Sequence, residues 1–395
     1  MLNFFRNPCN IYILLSILYS IQGEIINTGG TIISKFMFLL IIVIGVYCTI
    51  KVMLLKSKPI YFNGLNMLFC LFAFYGILLL LSNHHYVIKA IDYNDSVNNN
   101  AFLKSILLSL PTIYAFYYFS IKNYLTEEIL KRWLFVLFAT SIFRYFDSYF
   151  YALNNSDLVD GITNNKGYLF VALIPSLALL KNKPYLQYTL LIVCMAFILF
   201  AMKRGAIFTG IVLILYFMYY NRKRIGKTSP ARLLLLSIFV LISGYLIFRF
   251  LLNNSNAFVG RIEATLSGDD SGRHELYTTF YNYFLNERNL FRIIFGNGAN
   301  ATLGIGDNYA HNDWLEIAIN QGVLGLCVYL YYWWCFYRTV KSIKIYDTTK
   351  LILSLTFISY FLTTIFSMSY TGYNVIASSI FGYALARCHE RRSLH

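Results

Sequence analysis

Charge is what this sequence has least of. Of 395 residues only 13% are charged while 58% are hydrophobic, against roughly a quarter charged in soluble domains, which excludes an ordinary water-soluble enzyme and points to a membrane. Acidic residues are scarcer than basic ones, 18 against 33, for a formal net charge of +15. In a soluble chain that balance would suggest nucleic acid; here the cations read as basic loops held against a cytoplasmic membrane face, and no nucleic-acid partner is expected. The seven cysteines are Cys9, Cys48, Cys70, Cys194, Cys327, Cys335 and Cys388. None falls in an expected outside loop and no metal-type pair occurs, so neither a disulfide framework nor a thiolate zinc site is supported. No small-x-small site follows the apolar run 11–21, where Gln22-Gly23-Glu24 stands instead, so the first helix is expected to be retained rather than cleaved. Long internal repeats and low-complexity tracts are absent too.

A spanning helix needs about 20 apolar residues. About twelve such runs occur, near 9–23, 36–55, 64–82, 101–121, 132–152, 167–180, 185–202, 205–220, 232–252, 317–337, 351–368 and 373–386. The run 167–180 is short and closely followed, so half of a re-entrant hairpin is its alternative. With both termini inside, every inside segment is basic, including the cluster Arg222, Lys223, Arg224 and Lys227, while Glu24, Asp92, Asp95, Asp157 and Asp160 fall outside. The opposite orientation would put that basic cluster outside, against the bias that sets topology. The expected architecture is therefore an all-α integral membrane protein of about twelve spans, one polytopic unit over 1–395.

One polar stretch interrupts the apolar runs, 253–316, and it faces outside in this topology. Tyr277, Phe280, Tyr281 and Phe284 recur at helical spacing within it, which argues for an ordered, partly helical cap; a helix lying at the lipid interface is the alternative. Four cations stand out: Arg204 beyond the seventh run, and Arg261, Arg273 and Arg292 in the loop. Lys203-Arg204-Gly205 separates two runs without a proper loop, so the Arg204 guanidinium should sit at membrane level, costly without an anionic partner. The planar guanidinium fork suits phosphate oxygens, so arginines converging outside suggest a phosphate-bearing lipid substrate. Pairing with Glu263, Asp269, Asp270 or Glu275 is the plainer reading for Arg261 and Arg273.

Polar residues crowd the mouth of the tenth span, in Asp307-Asn308-Tyr309-Ala310-His311-Asn312-Asp313-Trp314-Leu315-Glu316. An imidazole there can take a proton from a sugar hydroxyl, though a lone histidine is more often a structural hydrogen bonder. Asp313 could serve simply as a helix N-cap. His84-His85 has nothing nearby to complete a metal or acid-base set; His274 points elsewhere on its helix, and His389 and His395 belong to the tail. Arg144 and Asp147 lie three residues apart inside the fifth span, where an intrahelical ion pair is the simplest account and a place on a substrate path the lesser one.

These residues resemble a family. The string His311-Asn312-Asp313-Trp314-Leu315-Glu316, then Gly322-Val323-Leu324-Gly325-Leu326, is similar to the histidine-asparagine-x-aromatic-leucine and glycine-x-x-glycine signature of the O-antigen ligase and O-antigen polymerase superfamily. Weaker marks follow in the family's order: Gly161-Ile162-Thr163-Asn164-Asn165-Lys166-Gly167, Lys203-Arg204-Gly205-Ala206, and Ser271-Gly272-Arg273 before Phe295-Gly296-Asn297-Gly298. The resemblance covers about 160–340, and Lys203 stands where the family usually has serine.

The resemblance implies an inner-membrane, metal-independent glycosyltransferase acting on undecaprenyl-diphosphate-linked glycans at the periplasmic face, without a cofactor. Arg204 and Arg273 would neutralise the leaving diphosphate and His311 would orient or deprotonate the acceptor hydroxyl; Arg261, Arg292, Asn312 and Asp313 are candidate substrate contacts, Asp313 also a candidate for fixing the imidazole tautomer. The acceptor is a second lipid-linked repeat unit for a polymerase or lipid A core for a ligase, with room for a chain-length regulator as a further partner. Phe and Tyr, 34 each, with abundant Ile, Asn and Lys, indicate an AT-rich gene of the kind common in polysaccharide clusters, which favours the polymerase. A transporter or flippase would also have about twelve spans, but should line its path with charges from several of them.

Overall fold

A computed structural model describes residues 6–25, 31–82, 84, 86–90, 93–155, 163–223, 230–268, 272–343, 347–367 and 374–393. His85, Asp92, Asp157, Asp160, Gly161, Ile162, Arg224, Lys227, Asp269, Asp270, Ser271 and His395 lie outside the described residues.

Each of the twelve apolar runs overlaps a helix over most of its described residues. In chain order these are α1 (Pro8–Ile25), α2 (Ile32–Met53), α3 (Tyr61–Leu81), α4 (Ala101–Ile121), α5 (Glu127–Asn155), α6 (Gly167–Leu173) continued as a 3-10 segment (Ile174–Leu180), α7 (Pro184–Phe200), α8 (Arg204–Lys223) and α9 (Pro230–Asn254). The polar stretch then supplies four short helices, α10 (Asn256–Leu266), α11 (Arg273–Asn286), α12 (Leu290–Phe295) and α13 (Thr302–Gly306), before α14 (Asp313–Lys341), α15 (Thr348–Phe366) and α16 (Val375–Ser393). Among the described residues, six helices are long and apolar enough to cross a membrane: α2, α3, α4, α9, α14 and α15. The chain is a multi-pass membrane protein. One departure from an all-helical reading is the antiparallel hairpin of β1 (Tyr86–Ala90) and β2 (Tyr93–Val97) between α3 and α4.

Lipid is as apolar as a leucine side chain, so helices in it associate through close packing at small residues and through internal hydrogen bonds. Both devices occur here. A Cβ on Gly64 would lie 2.7 Å from Tyr332 Cα, and one on Gly382 2.7 Å from Phe116 Cβ, which places α3 against α14 and α16 against the largely buried α4. Around those contacts the hydroxyls of Tyr61 and Tyr332 pair at 3.1 Å, and Tyr114 donates to Asn66 Oδ1 at 2.6 Å. Conversely α9 turns Leu235, Phe239, Leu241 and Leu246 outward, and α2 does the same with Phe36, Leu39 and Val43. These are the surfaces a bilayer would cover.

Candidate active site

The head of α14 is built from its own first turn. Asn312 is extended (φ −149°, ψ 118°) and its side-chain oxygen accepts from the amides of Trp314 and Leu315, at 3.0 and 3.2 Å. Asn312, not Asp313, is thus the N-cap, because only the residue before the first helical turn can aim its carbonyl back at the orphan amides. Trp314 Nε1 donates to Thr364 Oγ1 at 3.0 Å, which docks this helix start on the end of α15. Asp313 is fully buried and accepts from the Tyr329 hydroxyl at 2.7 Å.

Glu316 holds the residues that precede the helix. It is fully buried; Thr302 Oγ1 and Asn320 Nδ2 donate to Oε1 at 2.6 and 2.8 Å, and the amide of Ala310 donates to Oε2 at 2.8 Å. A buried carboxylate is tolerable only when its lone pairs are taken up in this way. Through Ala310 it fixes the next residue, His311, whose φ of +50° lies in the left-handed region that non-glycine residues enter at a cost.

The glycine motifs have one physical cause. Gly322 breaks α14 (φ 64°, ψ −159°), and a Cβ there would lie 2.6 Å from Gly296 N, Ile293 O and Ile294 O. The break frees carbonyls, and the crossing strand takes them: Asn297 N donates to Ile319 O at 3.0 Å and Gly298 N to Asn320 O at 2.9 Å. Non-helical backbone inside an apolar bundle survives only when its polar groups are paired like this.

The two upstream motifs also dock on each other. Asn164 N donates to Ala201 O at 2.9 Å and Asn164 Nδ2 to Tyr145 O at 3.0 Å, which lays the 163–168 segment over the α7–α8 junction. Gly205 leaves room for the Tyr168 hydroxyl and for Phe366 at the end of α15. Arg204 opens α8, with its Nε and Nη2 shielded from solvent. Arg273 opens α11, which packs Phe280 into a small cluster with Ala301, Ala310 and Ile319. So α11 is anchored to the head of α14 as an ordered cap, although Tyr281 remains exposed.

His311 lies within the electrostatic reach of Arg273. Burial pushes the His311 imidazole below its ordinary value of 6.5, and the nearby charges of Arg273 and Lys203 push it the same way. The field of Arg273 also reaches Tyr168, whose hydroxyl lies against Gly205, so Tyr168 shares the surroundings of Arg273 with His311. A neutral imidazole in the field of two cations can accept a proton while the cations attract a multiply charged anion. Arg292 stands apart, more than half exposed on α12 and paired with Glu287 at 3.7 Å. Arg261 lies on α10, which packs Phe258 against Leu199 and Leu251; its side chain is outside the described residues. Among the described residues no cluster of histidine, cysteine and carboxylates suits a metal ion.

Residues 189–330 match the family model described as O-antigen ligase. That match supports a likeness of this segment to the O-antigen ligase and polymerase superfamily. These are membrane enzymes of the glycosyltransferase type. No curated protein and no solved structure matches the chain. The matched segment includes Arg204, Arg273 and His311 but ends before the close of α14. Three residues of the site carried no role in the sequence. Lys203 had read as a departure from the family pattern, and Tyr168 sat unmarked in an apolar run. Glu316 had a detectable signal, a carboxylate at the mouth of a span, where an unpaired charge is too costly to be incidental.

Proposed function

We propose that the chain transfers a glycan from an undecaprenyl-diphosphate donor to an acceptor hydroxyl. The acceptor oxygen bonds to the anomeric carbon, the bond from that carbon to the diphosphate breaks, and the hydroxyl proton passes to His311. Arg204 and Arg273 stabilise the charge that grows on the departing diphosphate, and preorganised cations act most strongly where water is scarce. Lys203 adds to that field and helps keep the imidazole neutral. Asn312, Asp313 and Glu316 position His311 rather than touch substrate. Arg261 and Arg292, on the outer helices, meet substrate charge before it reaches the cluster. The observation that carries this reading is that His311, just ahead of the head of α14, lies in the field of both Arg273 and Lys203.

The accompanying topology has twelve spans in one polytopic unit in the inner membrane, both termini cytoplasmic and the 253–316 stretch periplasmic. Two acceptors are compatible with this site. The gene composition favours a second lipid-linked repeat unit, hence a polymerase; the description of the matched model names ligation, hence lipid A core. A deletion strain complemented with wild type, His311→Ala or Arg273→Ala separates them by its surface polysaccharide, with membrane levels matched. A single repeat unit on the core assigns the polymerase, and bare core with long polymer left on the carrier assigns the ligase. Normal chains from both variants would overturn the catalytic assignment and return transport to contention.

A further inference from the structure

None of the six residues of α12 is buried, although all but Arg292 are leucine, isoleucine or phenylalanine. Leu290 and Phe291 are each 68% exposed, Ile294 and Phe295 are exposed beside them, and the Phe291 and Phe295 rings lie 4.7 Å apart. The depth of this apolar face follows from its neighbours. The Tyr75 hydroxyl on α3 donates to Phe295 O, and Gly296 lies against the α14 backbone at Asn320 and Gln321. Beyond Tyr75, α3 runs on for six residues to Leu81, about 9 Å at roughly 1.5 Å per residue. Side chains on a helix lean towards its N-terminus, so the Tyr75 hydroxyl lies no farther out than its own turn. Over those outer turns α3 exposes Ile77, Leu78, Leu80 and Leu81, an apolar surface of the kind a bilayer covers. Six residues of helix make α12 only about 9 Å long, so even pointing straight outward it stays at or inside the level of Leu81.

Both ends of α12 are capped from within the protein. Asn289 Oδ1 accepts from the amides of Phe291 and Arg292 at 3.0 and 3.4 Å, Tyr75 donates to the Phe295 carbonyl, and Gly296 N donates to Arg292 O at 2.8 Å. A helix in water can leave its terminal groups to solvent, whereas one in lipid must have them paired. The segment also grades from polar to apolar: Asn286-Glu287-Arg288-Asn289 leads in, and the far end meets the α14 break. Its one charged side chain, Arg292, pairs with Glu287 of that polar entry at 3.7 Å, and a long stem lets a guanidinium reach back in this way. We propose that α12 is a re-entrant wedge in the hydrocarbon of the leaflet on the side of the 253–316 stretch, with phospholipid acyl chains covering Leu290, Phe291, Ile294 and Phe295. The Ile293 and Ile294 carbonyls face Gly322, so the wedge holds the strand that caps α14 at a fixed depth in the bilayer. This lipid contact does not rest on the glycosyltransferase reading.

The test is tryptophan fluorescence of the full chain reconstituted in phosphatidylcholine vesicles, read as the difference between Phe291→Trp and wild type. In vesicles whose acyl chains carry bromine, the added tryptophan should lose most of its emission. Its maximum should lie to the blue of an indole in water, and iodide on both sides of the membrane should leave it unchanged. Leu290→Trp, at an equally exposed position, should behave the same way, so a misfolded Phe291→Trp protein does not close the question. Quenching by iodide, with or without loss in the brominated vesicles, would place α12 in water or among the headgroups and overturn the proposal. Quenching by neither agent would mean that protein covers this face, a second copy of the chain included, and would overturn it equally.

Discussion

Replacing Glu316 by glutamine alters one atom and one charge at the point where the loop before α14 is fastened. The carboxylate accepts from Thr302, Asn320 and the Ala310 amide. If the glutamine oxygen takes the Oε1 position, its NH2 faces the Ala310 N–H and two donors oppose each other; in the flipped amide, Asn320 Nδ2 loses its acceptor. Either way one charge-assisted hydrogen bond goes, about 1.5–3 kcal/mol, with donor repulsion added. Glu316→Ala leaves all three donors bare at about 1–3 kcal/mol each, a sum comparable to the ~5–15 kcal/mol that holds a whole domain. The strained His311 conformation depends on the same fastening, and displacing a catalytic group by ~1 Å can cost ~10²-fold in rate. Glu316→Gln should therefore lower the thermal midpoint of the detergent-purified protein by several degrees and reduce turnover by roughly ten- to a hundredfold. Heating curves and glycan transfer in membrane vesicles at matched protein level are the readouts. Wild-type turnover together with an unchanged midpoint would refute the account of Glu316 as the residue that places His311.

The His311 imidazole is held below 6.5 by burial, Arg273 and Lys203, so the basic form prevails at neutral pH and is lost only as pH falls through that depressed value. The unfolded chain binds the proton first, so stability falls with acidification over the same window; Lys203→Gln should move the acid limb of the rate profile to higher pH, and an unmoved limb would remove Lys203 from the site. Gly322→Ala combines a left-handed φ of 64° with backbone atoms 2.6 Å from the new Cβ, a loss of at least about 1–2 kcal/mol. Gly260→Ala, in helix with open space around it, should instead gain up to about 1 kcal/mol in the same melting experiment. Arg292→Ala breaks a long pair at 3.7 Å whose arginine side is more than half exposed, so stability should change by about 1 kcal/mol or less; a raised KM for the donor with unchanged kcat fits an outer contact, whereas a collapse of kcat would place Arg292 among the reacting groups.

Apolar periodicity carried far in this chain because a bilayer leaves helices few alternatives. The helices appeared where the runs were, and the signature around His311 marked the head of α14 without any contact being visible. What it did not mark was partnership. Nothing in the string Gly296-Asn297-Gly298 says that its amides will cap the carbonyls freed at Gly322. Nothing at Tyr168 says that its hydroxyl will rest against Gly205. The Asp313 side chain suits either capping the helix or holding an imidazole, and nothing in the sequence says that the Tyr329 hydroxyl will donate to it.

By itself, then, the sequence determined membrane residence, the placement of the helices and the residue types available for chemistry, since those follow from local composition and from the dielectric of lipid. Only the tertiary structure decided which cations share a field with His311, that Glu316 secures the preceding loop, and that Arg144 and Lys166 line one cavity. Electrostatic and hydrogen-bond energies depend on distances of a few ångströms between residues far apart in the chain, and packing alone sets those distances.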